Sequence, residues 1–139
     1  MLRDYEAVLK AAADPNRARI LKMLEGGKLC VCQIVAALNL SQSTVSKHLS
    51  LLHGAGLVEE RKAGRWVHFR LGEEAVNECA QPLLALIRGW LHKDATVKAD
   101  AERVKRIRRT PVEELCCPNP GQALDRLLAT PAVAAKAHG

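Results

Sequence analysis

Two cysteines one residue apart, Cys30 and Cys32 in KLCVCQIV, and two adjacent ones, Cys116 and Cys117 in ELCCPNP, are the residues whose type and spacing can do chemistry. Cys79 brings the total to five, an odd number that fits a disulfide framework poorly. Reduced thiols at such spacing suit a soft metal ion, because the thiolate is a polarizable ligand. C-x-C is neither the C-x-x-C of a dithiol redox pair nor half of an ordinary zinc site. A thiol enzyme would need its nucleophile in an anion-binding loop, or a resolving cysteine at C-x-x-C spacing, and the sequence offers neither. The five histidines are scattered, with no Cys/His/Asp arrangement among them. Sensing is therefore favoured over catalysis.

The elements that must position these thiols are helical. Of 139 residues, 48% are hydrophobic and 26% charged, which suits one globular domain and a tail; only 3% are aromatic, so Leu and Ala must do the packing. That composition favours helices. The formal charge of +6 and the pI of about 9.3 point to a polyanionic partner, nucleic acid first. No apolar run approaches the ~18 residues of a membrane span, and MLRDYE lacks the features of a secretory leader. No membrane partner and a cytoplasmic location are expected.

Val8, Leu9 and Ala12 recur at helical spacing between Asp4 and Ala13, and a second helix starts with Asp14 as N-cap and Pro15 at its first position. Gly26 and Gly27 stop it. Residues 30–38, CVCQIVAAL, read as a third helix. A fourth follows Ser41 as N-cap and ends at Gly54 or Gly56, with Val45, Leu49 and Leu52 inward. That register leaves Ser43, Ser46, Lys47 and Ser50 on the outer face, with Thr44 beside them. A merely solvated face would carry Glu and Lys four apart, whereas small hydroxyls with a lysine suit a DNA groove.

In LVEERKAGRWVHFRL, Val67, Phe69 and Leu71 alternate with Trp66, His68 and Arg70 around an Ala63-Gly64 turn, the pattern of a β-hairpin with Arg61, Lys62 and Arg65 at or near its tip. Short helix, turn, second helix and basic hairpin is the order of a winged helix-turn-helix, whose second helix enters the major groove while the wing lies on the flanking backbone. The expected fold class is mainly α with a β-hairpin wing (α+β), and homodimeric, because paired half-sites need two copies.

Residues 73–92 carry Val76, Cys79, Leu83, Leu84, Ile87 and Leu91, a stripe wider than one packing face needs, with Pro82 kinking the helix or marking its start. With the first helix this is the candidate dimer interface, core packing being the alternative. Cys79 on the stripe reads as a small buried hydrophobe. Residues 97–109 read as an exposed or loosely docked basic helix, with Val97, Ala101, Val104 and either Ile107 or Arg108 on one face, and TPVEELCCPNPGQ is broken by Pro111, Pro118, Pro120 and Gly121. The division expected is 1–95, a winged helix-turn-helix DNA-binding and dimerisation domain, and 96–139, a C-terminal helix with a Cys-Cys-bearing tail.

The strings DPNRARILKML (14–24), LCVCQI (29–34) and SQSTVSKHLSLLHGAGLVEERKAGRWVHFRL (41–71) resemble the ArsR/SmtB family of winged-helix repressors that respond to metals and metalloids. The CVC portion is similar to its arsenic-responsive branch, whose members typically carry Glu-Leu-Cys-Val-Cys-Asp-Leu at the start of the helix before the reading helix. The resemblance implies Cys30 and Cys32 as metal ligands, Gln42, Ser43, Thr44, Ser46, Lys47 and His48 as the DNA-reading helix, and Arg61, Lys62 and Arg65 as the wing. Here Lys28 and Gln33 replace the usual acids, and Val35 stands where the pattern has a third cysteine. Trivalent arsenic prefers three thiolates, so Cys116 and Cys117 are the candidates to complete the site. The resemblance thus implies a homodimeric repressor that holds double-stranded operator DNA and releases it when arsenic(III) binds, with antimony(III) left open as a second inducer and no cofactor required. Thiol redox or persulfide sensing on the same scaffold is the nearer rival. Zinc or cadmium sensing ranks lower, for want of a His/Asp array beyond His92 and Asp94, and an arsenate reductase lower still.

In a regular helix residues two apart point about 200° away from each other, so Cys30 and Cys32 could share an ion only if the first turn were distorted. The spacing predicts competition between ligand binding and helix integrity. A helix N-terminus beside Lys28 is further expected to favour the thiolate forms.

Overall fold

Helix α1 (Leu2–Ala13) and helix α2 (Pro15–Leu24) meet at Asp14, which ends one and starts the other. Its backbone is extended, and Oδ1 accepts the N–H groups of Asn16 at 2.8 Å and Arg17 at 3.1 Å. Burial opposes ionisation there, yet those two N–H groups hold the carboxyl below its ordinary value. Pro15 supplies a pre-set φ where no N–H is needed. The computed structural model describes residues 1–73 and 77–115.

After α2 come strand β1 (Leu29–Cys30), helices α3 (Val31–Leu38) and α4 (Gln42–Gly54), strands β2 (Val58–Ala63) and β3 (Trp66–Leu71), and helices α5 (Ala80–Arg88), α6 (Ala95–Arg108) and α7 (Val112–Leu115). The strands form one antiparallel sheet in the order β1-β3-β2, with Leu29 opposite Phe69, Cys30 opposite His68 and Ala63 opposite Trp66. The hairpin turn is therefore Gly64-Arg65, one residue beyond the expected Ala63-Gly64, and Gly64 takes it at φ 63°. Where β3 ends, the Gly72 N–H bonds Leu57 O at 2.9 Å, and a Cβ on Gly72 would overlap the Gly56 carbonyl oxygen.

Ile20 and Leu21 of α2, Ile34 of α3, Val45, Leu49 and Leu52 of α4, Leu29 and Leu57 are shut off from solvent and make one aliphatic core. The fold is mainly helical with a small three-stranded wing sheet, a winged helix-turn-helix. Among the described residues no helix is long and apolar enough to cross a membrane.

Three local expectations change. The chain at Leu29-Cys30 is a strand, because Phe69 and His68 offer it an edge to pair with. Helix α5 begins only at Ala80; before it Asn77 accepts the Cys79 N–H at 2.8 Å and donates to Asp4 O at 3.2 Å. Helix α6 is docked rather than loose: Asp100, Val104 and Ile107 are buried against α2 and α3, while Ala101 is exposed. Arg19 holds Asp100 through two bonds of 2.8 Å, Arg103 donates to Ala37 O at the end of α3, and Arg108 donates to Lys28 O at 2.9 Å and Gly27 O at 3.1 Å. A charged residue on the packing face hid that register from a reading of apolar spacing.

Candidate thiol site and nucleic-acid interface

Cys30 is both the last residue of β1 and the N-cap of α3, with extended backbone at φ −85° and ψ 164°. Only Cys32 is in the helix. The two cysteines therefore do not both sit on helical backbone, and the angle of about 200° between helical residues two apart does not apply to them. The Gln33 side-chain oxygen accepts the Cys30 N–H at 2.9 Å while the Cys30 sulfur faces the Gln33 N–H, a capping box with a thiol in the serine position. Gln33 is itself buried, so an amide serves where an acid would carry a charge out of water.

Cys30 is 1% exposed. Burial pushes its thiol above the ordinary value, and the N–H groups of Gln33 and Cys32 offset this only in part. The expected thiolate is thus overturned for Cys30, since Lys28 stays in solvent and the low-dielectric surroundings decide the balance. Cys32 is disulfide-bonded, whereas Cys30 and Cys79 are free thiols. Cys116 and Cys117 lie outside them too. Cys79 is half-buried, its Sγ 3.9 Å from Met1 Sδ. Among the described residues no group of three or more His, Cys, Asp or Glu could hold a metal ion, so a trigonal sulfur site needs a donor from beyond them.

The start of α4 differs in kind. Ser41 Oγ accepts the Thr44 N–H at 3.2 Å and bonds Thr44 Oγ1 at 2.8 Å, and Ser43 Oγ lies 3.2 Å from it. Gln42, Ser43, Ser46, Lys47 and Ser50 are exposed, with Thr44 and His48 half-buried at the flanks. His48 Nδ1 lies 3.2 Å from Arg17 Nη1, a contact that helical periodicity could not reveal. On the wing, Arg61, Lys62 and Arg65 are exposed, and Arg65 lies 5.8 Å from the centre of the Trp66 ring. Glu59 and Arg70 pair across the strands at 2.8 Å. Nδ1 of His68, the residue opposite Cys30, is buried without a hydrogen-bond partner among the described residues. The structure thus gathers the exposed hydroxyl, amide and cationic groups on α4 and the wing, and sets Cys30 and Cys32 behind them at the start of α3.

Large apolar side chains are also exposed elsewhere: Leu2, Tyr5 and Leu9 on α1, and Leu86, Trp90 and Leu91 at and just past the end of α5. The Asn77–Asp4 and Cys79–Met1 contacts bring the start of α5 beside α1.

Residues 14–60 match a family model described as bacterial regulatory protein, arsR family. The chain is 36% identical over 115 residues to the arsenic resistance transcriptional regulator ArsR2 of Pseudomonas putida strain KT2440, covering 79% of this chain and 95% of that one. It is 36% identical over 112 residues to the arsenical resistance operon repressor of Escherichia coli strain K12, covering 78% of this chain and 86% of that one. Among solved structures, reduced HlyU from Vibrio cholerae N16961 superposes with a TM-score of 0.53 at 33% identity, covering 65% of this chain and 92% of that one.

Proposed function

Because the chain belongs to the arsR family of bacterial regulatory proteins, we propose that it is a cytoplasmic, homodimeric repressor that holds operator DNA until trivalent arsenic binds Cys30, Cys32 and a sulfur of Cys116 or Cys117. The observation that carries this reading is the double role of Cys30, whose sulfur is both a free thiol and the cap on α3, the helix packed against the exposed reading helix α4. Arsenous acid and three thiols give a tris-thiolate and three waters: each As–OH leaves with a thiol proton, and no electrons are transferred. The product is uncharged. Burial that keeps the Cys30 thiol protonated does not penalise it, whereas a divalent cation with three thiolates would leave a net negative charge out of water. Cys32 must first be a thiol, which takes two equivalents of a low-molecular-weight thiol; together they supply two electrons and two protons and leave as their own disulfide.

Coordination draws the Cys30 sulfur from the Gln33 N–H and shifts α3, and α4 with it. In a dimer joined through the apolar faces of α1 and α5, the two α4 helices must sit about 34 Å apart to enter successive major grooves, so a small shift of each spoils the fit. Coupling of about 1–3 kcal/mol per site would lower operator affinity by 5- to 150-fold. Gln42, Ser43, Thr44, Ser46, Lys47 and His48 would meet the groove, and Arg61, Lys62 and Arg65 the flanking phosphates.

The test is operator binding by fluorescence anisotropy in reducing buffer, with and without arsenite. Release is expected for the wild type, none for Cys30→Ser/Cys32→Ser, and a weakened response for Cys116→Ser/Cys117→Ser. A second reading, a thiol redox sensor, is favoured by the disulfide at Cys32. Release by oxidant with no response to arsenite would select it.

A further inference from the structure

Arg17 stands at the start of α2, where its charge helps to hold the Asp14 carboxyl down; among the described residues its guanidinium forms no salt bridge and spans three acceptors instead. Nε donates to Ala11 O at 2.7 Å and Nη2 to Lys10 O at 3.2 Å, closing two carbonyls of the last turn of α1. Nη1 lies 3.2 Å from Nδ1 of His48 on α4. One side chain therefore joins the helix with the exposed apolar face to the helix with the exposed polar face.

An arginine N–H can only donate, so Nδ1 of His48 must accept. A neutral imidazole holds one acceptor nitrogen and one N–H, which places the proton on Nε2 and leaves that nitrogen as a donor. We propose that Arg17 is a positioning residue for DNA recognition: it sets α4 against α1 and orients His48 with Nδ1 accepting from the guanidinium and Nε2–H turned toward phosphate or base-edge acceptors. The role rests on α4 being the helix that meets DNA and is independent of which inducer the thiols take. It makes the geometry between the two reading helices of a dimer depend on a contact inside each subunit.

Arg17→Lys keeps the charge but cannot span three acceptors. Its operator affinity should fall on the order of tenfold, a coupling typical of residues in one hydrogen-bond network. Dimerisation by sedimentation and the dependence of log affinity on log salt should both stay as in the wild type. His48→Gln retains a donor near the Nε2 position and removes the Nδ1 acceptor, so Arg17→Lys in that background should weaken binding little further. In the wild type, long-range proton–nitrogen NMR should show His48 as the Nε2–H tautomer, a readout that needs no variant to fold.

A salt slope shallower by about one for Arg17→Lys would make Arg17 a phosphate contact and overturn the proposal. Additive losses in the double variant, loss of the dimer, or a His48 proton on Nδ1 would overturn it equally. Lys47→Gln is measured alongside: reduced affinity with a shallower salt slope supports α4 as the reading helix. Unchanged binding by Lys47→Gln removes that premise and the proposal together, whereas a Lys47 effect with an Arg17→Lys variant that binds like the wild type overturns the proposal alone.

Discussion

Helices α3 and α4 are the two halves of the helix-turn-helix, and each begins on a side-chain cap, but the caps are built from different chemistry. Ser41 caps α4 with an exposed hydroxyl, a hard oxygen donor with little affinity for a thiophilic ligand. Cys30 caps α3 with a buried sulfur that a thiophilic ligand can take. The supports differ as well: α3 is braced from behind by α6 and α7, while α4 rests on α1, α2, α3 and β2 with its outer face in solvent. On the proposed function, a fixed cap on α4 beside a removable cap on α3 would transmit a signal without dissolving the fold.

The brace gives the largest expected effect. Arg19→Ala leaves the buried Asp100 carboxylate unpaired and should cost about 3 kcal/mol in urea denaturation. Glu102→Ala, which breaks only the exposed 3.1 Å pair with Lys105, should change stability by less than about 0.5 kcal/mol. Similar losses for the two would mean that the Arg19–Asp100 pair does not hold α6 against α2.

Cys30→Ser tests the two caps directly, since it turns the α3 cap into the kind α4 has. A hydroxyl still caps a helix, so stability should stay within about 1 kcal/mol of the wild type while arsenite loses its 5- to 150-fold effect on operator affinity. Ser41→Ala should do the reverse, costing about 1 kcal/mol by thermal unfolding with the fold-change on arsenite unaltered.

The smallest effect is on pH dependence. The folded Cys30 thiol titrates above its ordinary value of 9.0, so its contribution to stability is complete below that pH and is lost as pH rises through the folded value. Asp14 has the opposite sign: its carboxyl is held below 3.8, so its contribution is present above that pH and fades as pH falls through the folded value. Denaturation midpoints across pH should show both edges, with Cys30→Ser flattening only the alkaline one.

The α4 side was the more legible. Val45, Leu49 and Leu52 repeat within one helix, Ser41 caps it locally, and Arg61, Lys62 and Arg65 sit in a hairpin whose strands are close in sequence. The thiol side was legible in its residues but not in its geometry. The C-x-C spacing pointed to Cys30 and Cys32, yet it could not show that Cys30 is strand rather than helix, since that depends on an edge offered by Phe69 and His68. Gln33 looked like a lost acid until its side chain was seen to close the cap.

By itself the sequence determined the helix boundaries at Asp14-Pro15 and Ser41, the polar outer face of α4 and the basic wing, because each is written in residues within a turn or a hairpin of one another. The tertiary structure alone decided that burial raises the Cys30 thiol above its ordinary value, that α6 turns Asp100 inward to Arg19, and that Arg17 reaches His48. Those outcomes depend on partners 31 to 81 residues away and on the exclusion of water between them, neither of which leaves a period in the chain.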